Sequence, residues 1–220
     1  MSSTGRGTTR NEFDWYPTPW WCVRRFMEVV HLEGSNWLEP SAGEGAIIEG
    51  VAAYRPDVHW DAVELRQEAS TALTKALAPS WERNGSGRLW CPQNFLRLRA
   101  LYPQPDVIIS NPPFGSAPAF VDHAFTLTAR YVVMLLRVNY WGSEERHAFL
   151  TANPPDTYVL PNRASFTSDG KTDSIEYGWF VWDVTSKREH GRVRVLGLTP
   201  QGEREHDRLI QHKIQKPLFT

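Results

Sequence analysis

The sequence has little cysteine, no long hydrophobic run and no excess of either charge. Its 220 residues include two cysteines, Cys22 and Cys91, with no metal-binding spacing. No apolar stretch approaches the roughly 20 residues of a membrane-spanning helix, and the first residues lack the apolar core of a secretory signal. Lys and Arg total 24 against 25 Asp and Glu, a net charge of −1. These absences predict a reduced cytoplasmic protein with no membrane span, in which any nucleic-acid binding uses a local basic patch.

The composition is that of a folded domain. Apolar residues make up 41% of the chain, which is enough to fill a hydrophobic core. The first residues are rich in Ser, Thr and Gly, and residues 1–12 are expected to form a disordered lead-in. Residues 13–220 are expected to form a single domain, because nothing in this stretch resembles a linker or a repeat.

Apolar runs alternate with helical patterns along most of the chain. Helices are expected at about 20–31, 46–54, 66–77, 117–129, 143–152 and 201–213. Strands are expected at 37–40, 58–65, 89–96, 106–110 and 131–138, followed by 158–160, 178–184 and 193–198. The alternation predicts an α/β fold with a mostly parallel sheet covered by helices on both faces. The last three runs have no long helix between them, so they are expected to be antiparallel edge strands.

The most distinctive segment is Asn111-Pro112-Pro113-Phe114, directly after the apolar run 107–109. Two consecutive prolines make a stiff corner, because each fixes φ and removes a backbone donor. The Asn111 carboxamide and the backbone carbonyls offer acceptors there, and Phe114 adds a flat apolar ring. This combination suits a planar amine such as a flipped nucleobase. An ordinary proline-rich turn accounts for the same residues equally well.

A second candidate segment is the Glu-Pro-Ser-Ala-Gly-Glu-Gly sequence at 39–45, between the first strand and its helix. Small residues there let a ligand approach the backbone closely. The segment is not a dinucleotide fingerprint and lacks the lysine of a P-loop. Glu64 follows Gly45 by 19 residues, at the end of the second strand. An acidic residue about 20 positions past a glycine loop binds ribose hydroxyls in Rossmann-like sheets, although a solvated carboxylate is the alternative.

The third strand leads into Asn94 and Phe95. Asn94 is a candidate acceptor for an adenine amino group and Phe95 a candidate wall of the ring pocket, whereas an ordinary turn asparagine is the alternative. Four successive strand ends therefore carry polar candidates. Because ligands of open α/β sheets bind at the carboxyl edge, we expect these side chains to meet there.

Three motifs in order resemble those of a known family, the S-adenosylmethionine-dependent DNA adenine-N6 methyltransferases. The Ser-Asn-Pro-Pro-Phe sequence at 110–114 resembles their catalytic motif, and the segment 39–45 resembles their cofactor motif. The Tyr-Pro-Thr-Pro sequence at 16–19 is similar to their upstream cofactor motif. The order is similar to that of the gamma group, and to small orphan enzymes of phages and mobile elements that lack a separate recognition domain. The resemblance implies a Rossmann-like class I methyltransferase fold with a seven-stranded sheet.

The same resemblance implies that S-adenosylmethionine is the cofactor. The upstream tetrapeptide is expected to cover its methionine end, the glycine loop to shape its pocket and Glu64 to bind its ribose. The family commonly has Asp where this chain has Asn94. The implied cofactor contacts are Tyr16, Thr18, Pro19, Glu39, Ser41, Gly43, Gly45, Glu64, Asn94 and Phe95.

For the substrate, the resemblance implies that Asn111 and the Pro112 carbonyl accept the target amino group while Phe114 stacks on the base. The catalytic residues are then Asn111, Pro112, Pro113 and Phe114, and no metal is expected. The polar segment 162–173 lies near a point where the family carries another pocket aromatic. Phe166 is the candidate for that position, with Arg163 and Lys171 as DNA backbone contacts. A surface hairpin without a ligand is the alternative.

The predicted partner is double-stranded DNA, with a homodimer as a further possibility. Only 38 residues follow Trp182, so a short or relaxed recognition sequence is expected. The location would be the bacterial host cytoplasm for a phage-encoded enzyme. The alternatives are an RNA adenine, protein-glutamine or cytosine-N4 methyltransferase, since the corner holds any planar nitrogen, and a degenerate methyltransferase fold that only binds.

Overall fold

The computed structural model describes residues 17–85, 87–164, 166, 175–186 and 190–215, with the side chains of 211–215 left out. The predicted lead-in at 1–12 therefore lies outside the described residues. The strands are β1 Asn36–Glu39, β2 His59–Val63, β3 Leu89–Trp90, β4 Val107–Ser110, β5 Tyr131–Arg137, β6 Asp156–Val159, β7 Tyr177–Asp183 and β8 Val193–Val195. The α-helices are α1 Trp20–Met27, α2 Ala46–Ala52, α3 Ser70–Asn84, α4 Ala117–Leu127, α5 His147–Ala152 and α6 Gln201–Gln215.

The strands form one sheet in the order β3-β2-β1-β4-β5-β7-β6-β8. The neighbours from β3 to β5 are parallel, and β7 runs antiparallel to both β5 and β6. The predicted α/β class and the antiparallel pairing at the C-terminal end are confirmed. The sheet has eight strands rather than seven, because β8 adds to the outer side of β6, to which it is parallel rather than antiparallel.

Helices cover both faces of the sheet, as predicted, and each face has its own core. Alternate residues of β5 point to opposite sides, so Val133 and Leu135 pack with residues of α1, α2 and α3. Met134 and Leu136 pack on the other side with residues of α4 and α5. Nearly every residue of β5 is buried, which is the pattern expected of a central strand in a doubly covered sheet.

Four tryptophans of the sheet are buried in the core. Trp37 and Trp60 stand side by side on β1 and β2 with ring centroids 5.5 Å apart, in an edge-to-face arrangement. Trp179 and Trp182 lie on β7, on opposite faces of the sheet. Trp179 stacks on Phe26 of α1 at 5.0 Å and donates to the Cys22 carbonyl at 3.0 Å, so its indole N–H is satisfied inside the core.

Helix α3 continues beyond the predicted end at residue 77. It passes through Pro79 and ends at Asn84, although proline removes one helix hydrogen bond. Contacts with the β2 region hold this last part in place: Trp81 Nε1 donates to the Trp60 carbonyl at 3.2 Å, and Asn84 Nδ2 donates to the Val58 carbonyl at 2.9 Å. Tertiary anchoring therefore outweighs the local cost of the proline.

The last helix, α6, docks on α1 through ion pairs. Arg24 contacts Asp207 at 2.7 Å and Glu203 at 3.1 Å, and Arg25 contacts Glu203 at 2.7 Å. Asp207 is 3% exposed, so its charge depends on Arg24 for compensation. Among the described residues, no helix combines the length and the apolar character needed to cross a bilayer.

Candidate active site

The parallel strands bring most of the predicted site residues to one edge of the sheet. Strands β1, β2 and β4 lead at their carboxyl ends into Glu39, Glu64 and Asn111. Strand β5 ends there with Arg137, which is paired with Tyr177 at the start of the antiparallel β7. The carboxyl edge, the usual ligand side of an open α/β sheet, therefore carries acidic, amide, cationic and aromatic groups together.

The glycine loop turns sharply between β1 and α2. Gly43 and Gly45 have positive φ values of 56° and 94°, a backbone conformation that residues other than glycine rarely adopt. A Cβ on Gly45 would lie 2.4 Å from the Cβ of Ala76 in α3. Both the backbone conformation and the close approach of α3 therefore require glycine at position 45.

Glu64 joins the glycine loop to the end of β2. It is 5% exposed, and its Oε2 accepts from the Gly43 backbone N–H at 2.7 Å. Its Oε1 accepts from the backbone N and Nε of Arg66, at 2.8 and 3.0 Å. A carboxylate offers about four lone-pair positions, so one more hydroxyl donor fits beside these three. Glu64 is therefore not the solvated carboxylate that was the alternative.

Glu39 is the most strongly perturbed acid at this edge. It is 2% exposed, and its Oε2 has no hydrogen-bond partner among the described residues. Burial, reinforced by the nearby Glu64 carboxylate, raises the pKa of Glu39 well above its usual range. A neutral carboxyl in this position can donate as well as accept, and its unpaired oxygen is available to a polar ligand.

Asn94 and Phe95 lie in a tight turn after β3. Asn94 Oδ1 accepts from the Leu96 backbone N–H at 3.0 Å and caps a short 3-10 helix. Phe95 is 2% exposed and packs against Phe120 and His123, with centroids 5.1 and 4.9 Å away. In this structure Asn94 acts as a turn residue and Phe95 as a core residue, and their adenine contacts stay predictions.

At the proline corner, one hydrogen bond to Thr18 holds the Asn111 side chain. Asn111 Nδ2 donates to Thr18 Oγ1 at 3.1 Å, whereas its Oδ1 is buried and has no hydrogen-bond partner among the described residues. Below it, the Ser41 and Ser110 hydroxyls form a hydrogen bond of 2.6 Å. Pro112 is buried and Pro113 is exposed. The corner therefore contains a rigidly held carbonyl oxygen whose acceptor capacity is unused.

Phe114 lies in a cluster of aromatic and cationic side chains. Its centroid is 5.7 Å from that of Tyr177 and 6.0 Å from that of Phe166, and the Arg137 guanidinium lies 4.6 Å from its centroid. Phe166 is 6% exposed and makes an edge contact with Tyr177 at 4.8 Å. The sequence placed Phe114 and Phe166 in one pocket, and they are in contact. Arg137 and Tyr177 were not predicted from the sequence to lie in this pocket. The only feature of the sequence that pointed to them was their position at the ends of two apolar strands.

The remaining predicted residues are less informative. Pro19 precedes α1, and its carbonyl accepts from Cys22 N at 2.9 Å. Arg163 pairs with Glu176 at 2.9 Å, with both side chains more than half exposed. Tyr16 and Lys171 lie outside the described residues. Across the part of the chain that the structure describes, no cluster of three or more His, Cys, Asp or Glu residues forms a metal site.

A cavity of about 400 Å³ lies at the opposite edge of the sheet. Tyr131 begins β5 and Asp183 ends β7, so these lining residues mark the amino edge of the parallel strands. The cavity is therefore remote from the proline corner. Its position does not change the assignment of the carboxyl edge as the candidate site, because the converging polar groups and the perturbed acid lie there. Its full lining comprises Val29, Val30, His31, Leu32, Arg130, Tyr131, Tyr158, Val181, Asp183 and Ser186.

Several solved structures similar to this chain are described as methyltransferases. A Listeria monocytogenes protein provisionally described as a class I S-adenosylmethionine-dependent methyltransferase is 16% identical, with a TM-score of 0.56 over 89% of this chain and 68% of that one. The methyltransferase subunit of a type I restriction-modification system from Streptococcus thermophilus is 13% identical, with a TM-score of 0.62 over 93% of this chain. This chain spans 54% of that subunit.

A third similar structure is Pyrococcus horikoshii TYW2 in complex with MeSAdo, 12% identical, with a TM-score of 0.52 over 80% of this chain and 66% of that one. No protein-family model matches the sequence, and no curated protein matches it significantly. At these identities the likeness concerns the fold. The chain has the class I methyltransferase fold.

Proposed function

We propose that this protein transfers a methyl group from S-adenosylmethionine to the exocyclic N6 amino group of adenine in DNA. The observation that carries the proposal is the buried Oδ1 of Asn111, which has no hydrogen-bond partner among the described residues and stands beside Phe114 at the carboxyl edge. A buried acceptor without a donor costs roughly 1–3 kcal/mol, so its retention favours a ligand donor at that point. An amino group on a flat ring supplies both the donor and the stacking surface.

The glycine loop and its neighbours suit the proposed cofactor. The unpaired oxygen of Glu39 can hydrogen-bond a ligand, and the tight turn through Gly43 and Gly45 lets that ligand approach the backbone closely. Glu64 would hold a ribose hydroxyl, since its carboxylate accepts three hydrogen bonds from Gly43 and Arg66 and retains room for one further donor. When bound, S-adenosylmethionine supplies an electrophilic methyl group on a positively charged sulfonium.

The chemistry at the corner is a matter of alignment. The lone pair of an exocyclic amine is delocalised into its ring, which makes the nitrogen a weak nucleophile. Asn111 Oδ1 and the Pro112 carbonyl would accept its two N–H groups, draw the nitrogen towards tetrahedral geometry and free the lone pair. Asn111 is neutral, so it positions the amine rather than removing its proton. Phe114 would hold the ring by stacking.

Two features support DNA as the polymer. The order of the motifs is similar to that of gamma-group DNA adenine methyltransferases. The fold is also similar to that of the methyltransferase subunit of a type I restriction-modification system. Arg137, whose guanidinium lies 4.6 Å from the Phe114 centroid, and the exposed Arg163, which pairs with Glu176, would contact the phosphate backbone.

The test is to express the chain in a host that lacks adenine methylation and to sequence the host DNA for modified bases. We expect N6-methyladenine at a short sequence, absent from cells that carry the empty vector. In vitro, transfer of a radiolabelled methyl group to DNA, RNA and protein fractions separates the polymer classes. Label found only in RNA or protein would refute the DNA assignment and retain methyl transfer.

Asn111→Ala is the matched variant. It removes the acceptor and leaves Glu64 and the glycine loop intact, so calorimetry should find cofactor binding unchanged. Methyl transfer should fall by at least 100-fold, the scale of losing one preorganised transition-state contact. Full activity in Asn111→Ala would exclude the catalytic role. Absence of S-adenosylmethionine binding in the wild-type protein would instead favour a fold that has lost its enzymatic function.

A further inference from the structure

We propose that Thr18 is a positioning residue that holds the Asn111 carboxamide against rotation, with its oxygen towards the substrate. This inference rests on the proposed function. Thr18 was expected to cover the methionine end of the cofactor, yet its Oγ1 accepts from Asn111 Nδ2 at 3.1 Å across 93 positions of sequence. It is 4% exposed and lies two residues before α1.

The two ends of an asparagine carboxamide have nearly the same shape and opposite hydrogen-bonding character. The oxygen accepts, whereas the NH2 group only donates. A substrate amine brings N–H donors to the corner, so it is held when Oδ1 faces it and opposed when Nδ2 does. With Nδ2 committed to Thr18, the oxygen is the end that remains, and it is the buried atom without a partner among the described residues.

Other side chains hold the backbone of the corner, which separates the role of Thr18 from general support. Ser41 Oγ lies 3.4 Å from the Asn111 backbone carbonyl and 2.6 Å from Ser110 Oγ. The prolines that follow restrict the chain further. Loss of the Thr18 hydroxyl should therefore release the rotation of the Asn111 amide while leaving its backbone in place.

The consequence is a split between chemistry and cofactor binding. Thr18→Val keeps the shape of the side chain and removes the hydroxyl, so kcat should fall about 2- to 10-fold, the rate equivalent of one net hydrogen bond. The affinity for S-adenosylmethionine should stay the same. Thr18→Ser keeps the hydroxyl and should restore most of kcat. Thr126→Val, a change at an exposed threonine of α4, controls for the loss of a hydroxyl as such.

The experiment combines calorimetry, single-turnover methyl transfer and NMR of side-chain amides. The Asn111 NH2 signal is assigned by its disappearance in Asn111→Asp. In the wild-type protein we expect this signal to be protected from solvent exchange, and in Thr18→Val to shift and lose that protection. The NMR measurement needs neither cofactor nor activity, and the wild-type spectrum alone tests the contact if Thr18→Val fails to fold.

An unprotected wild-type amide, or one that is unchanged in Thr18→Val, would overturn the inference. So would a Thr18→Val enzyme with full kcat, or one whose only defect is weaker cofactor binding. A wild-type protein that transfers methyl groups to no polymer would instead refute the proposed function, and the amide spectrum would still decide whether Thr18 orients Asn111.

Discussion

Gly45→Ala should destabilise the protein through two separable effects. Gly45 sits at φ +94° directly before α2, where an L side chain is strained. Its added Cβ would also lie 2.4 Å from the Cβ of Ala76 and 3.9 Å from the Cα of Ala76. Because the clash is with an atom fixed to the α3 backbone, relief requires α2 and α3 to move apart.

The magnitude follows from these two effects. A left-handed conformation costs a residue with a side chain about 1–2 kcal/mol. Overpacking of a fitted interior adds about 1–3 kcal/mol. The free energy of unfolding should therefore fall by about 2–5 kcal/mol, which in a chain of this length lowers Tm by roughly 4–20 °C. Cofactor affinity should fall as well, because Gly45 belongs to the loop that Glu64 anchors through Gly43.

Two other glycines provide controls for the urea and thermal unfolding experiments. Gly85 has φ +89° and nothing within 4 Å of an added Cβ, so Gly85→Ala carries the backbone strain alone, about 1–3 kcal/mol. Gly202, in α6, has neither feature, so Gly202→Ala should be neutral or slightly stabilising. Gly85 lies at ψ 173°, outside the left-handed region of Gly45, so the two backbone strains are not equal. A Gly45→Ala cost below about 2 kcal/mol, which left-handed strain alone can supply, would contradict the argument from the contact with Ala76.

Three further changes test the site and the docking of α6. Glu39→Gln should raise the free energy of unfolding at pH ~8, and this gain should disappear towards pH ~5. Burial raises the pKa of Glu39 in the folded protein, so the stability of the wild-type protein falls as pH rises through that pKa. A difference between the two urea midpoints that does not change with pH would contradict this. Arg137→Ala removes a cation that we propose contacts the DNA backbone 4.6 Å from the Phe114 centroid, and should weaken binding of DNA with a flipped 2-aminopurine roughly 2- to 10-fold by fluorescence, the equivalent of one net hydrogen bond. Arg137→Lys keeps the charge and should lie in between, and equal binding by all three proteins would refute this. Asp207→Asn weakens the 2.7 Å pair with Arg24 and should lower the free energy of unfolding by about 1–3 kcal/mol. A variant with the same urea midpoint as the wild-type protein would exclude this.

Most of the fold was predictable because its strands and helices carry strong periodic patterns. Strand β5 is apolar along nearly its whole length, as a strand buried on both faces must be. The errors occurred where tertiary contacts override local preference. The helix expected to end at residue 77 continues through Pro79 to Asn84, because hydrogen bonds from Trp81 and Asn84 to the β2 region hold its last part. The three residues of β8 are all exposed, and the strand runs parallel to β6. Its direction depends on this pairing and not on a local pattern.

The candidate site was predictable to a lesser extent. Glu64 was found from its spacing, because a strand and a glycine loop fix where the next strand ends. Arg137 and Tyr177 were missed, since they meet Phe114 only through the antiparallel pairing of β5 with β7. The sequence left Asn94 as either an adenine contact or a turn residue, and in the folded chain its side chain caps a turn.

The sequence by itself determined the class of the fold, the order of its elements and several of the groups at the carboxyl edge, because hydrophobic period is local and helical connections between strands make them parallel. Only the tertiary structure decided what those groups do to one another. The bond between Thr18 and Asn111 joins residues 93 positions apart, and the raised pKa of Glu39 results from burial beside Glu64. Hydrogen-bond direction and desolvation depend on neighbours in space, which no local pattern specifies.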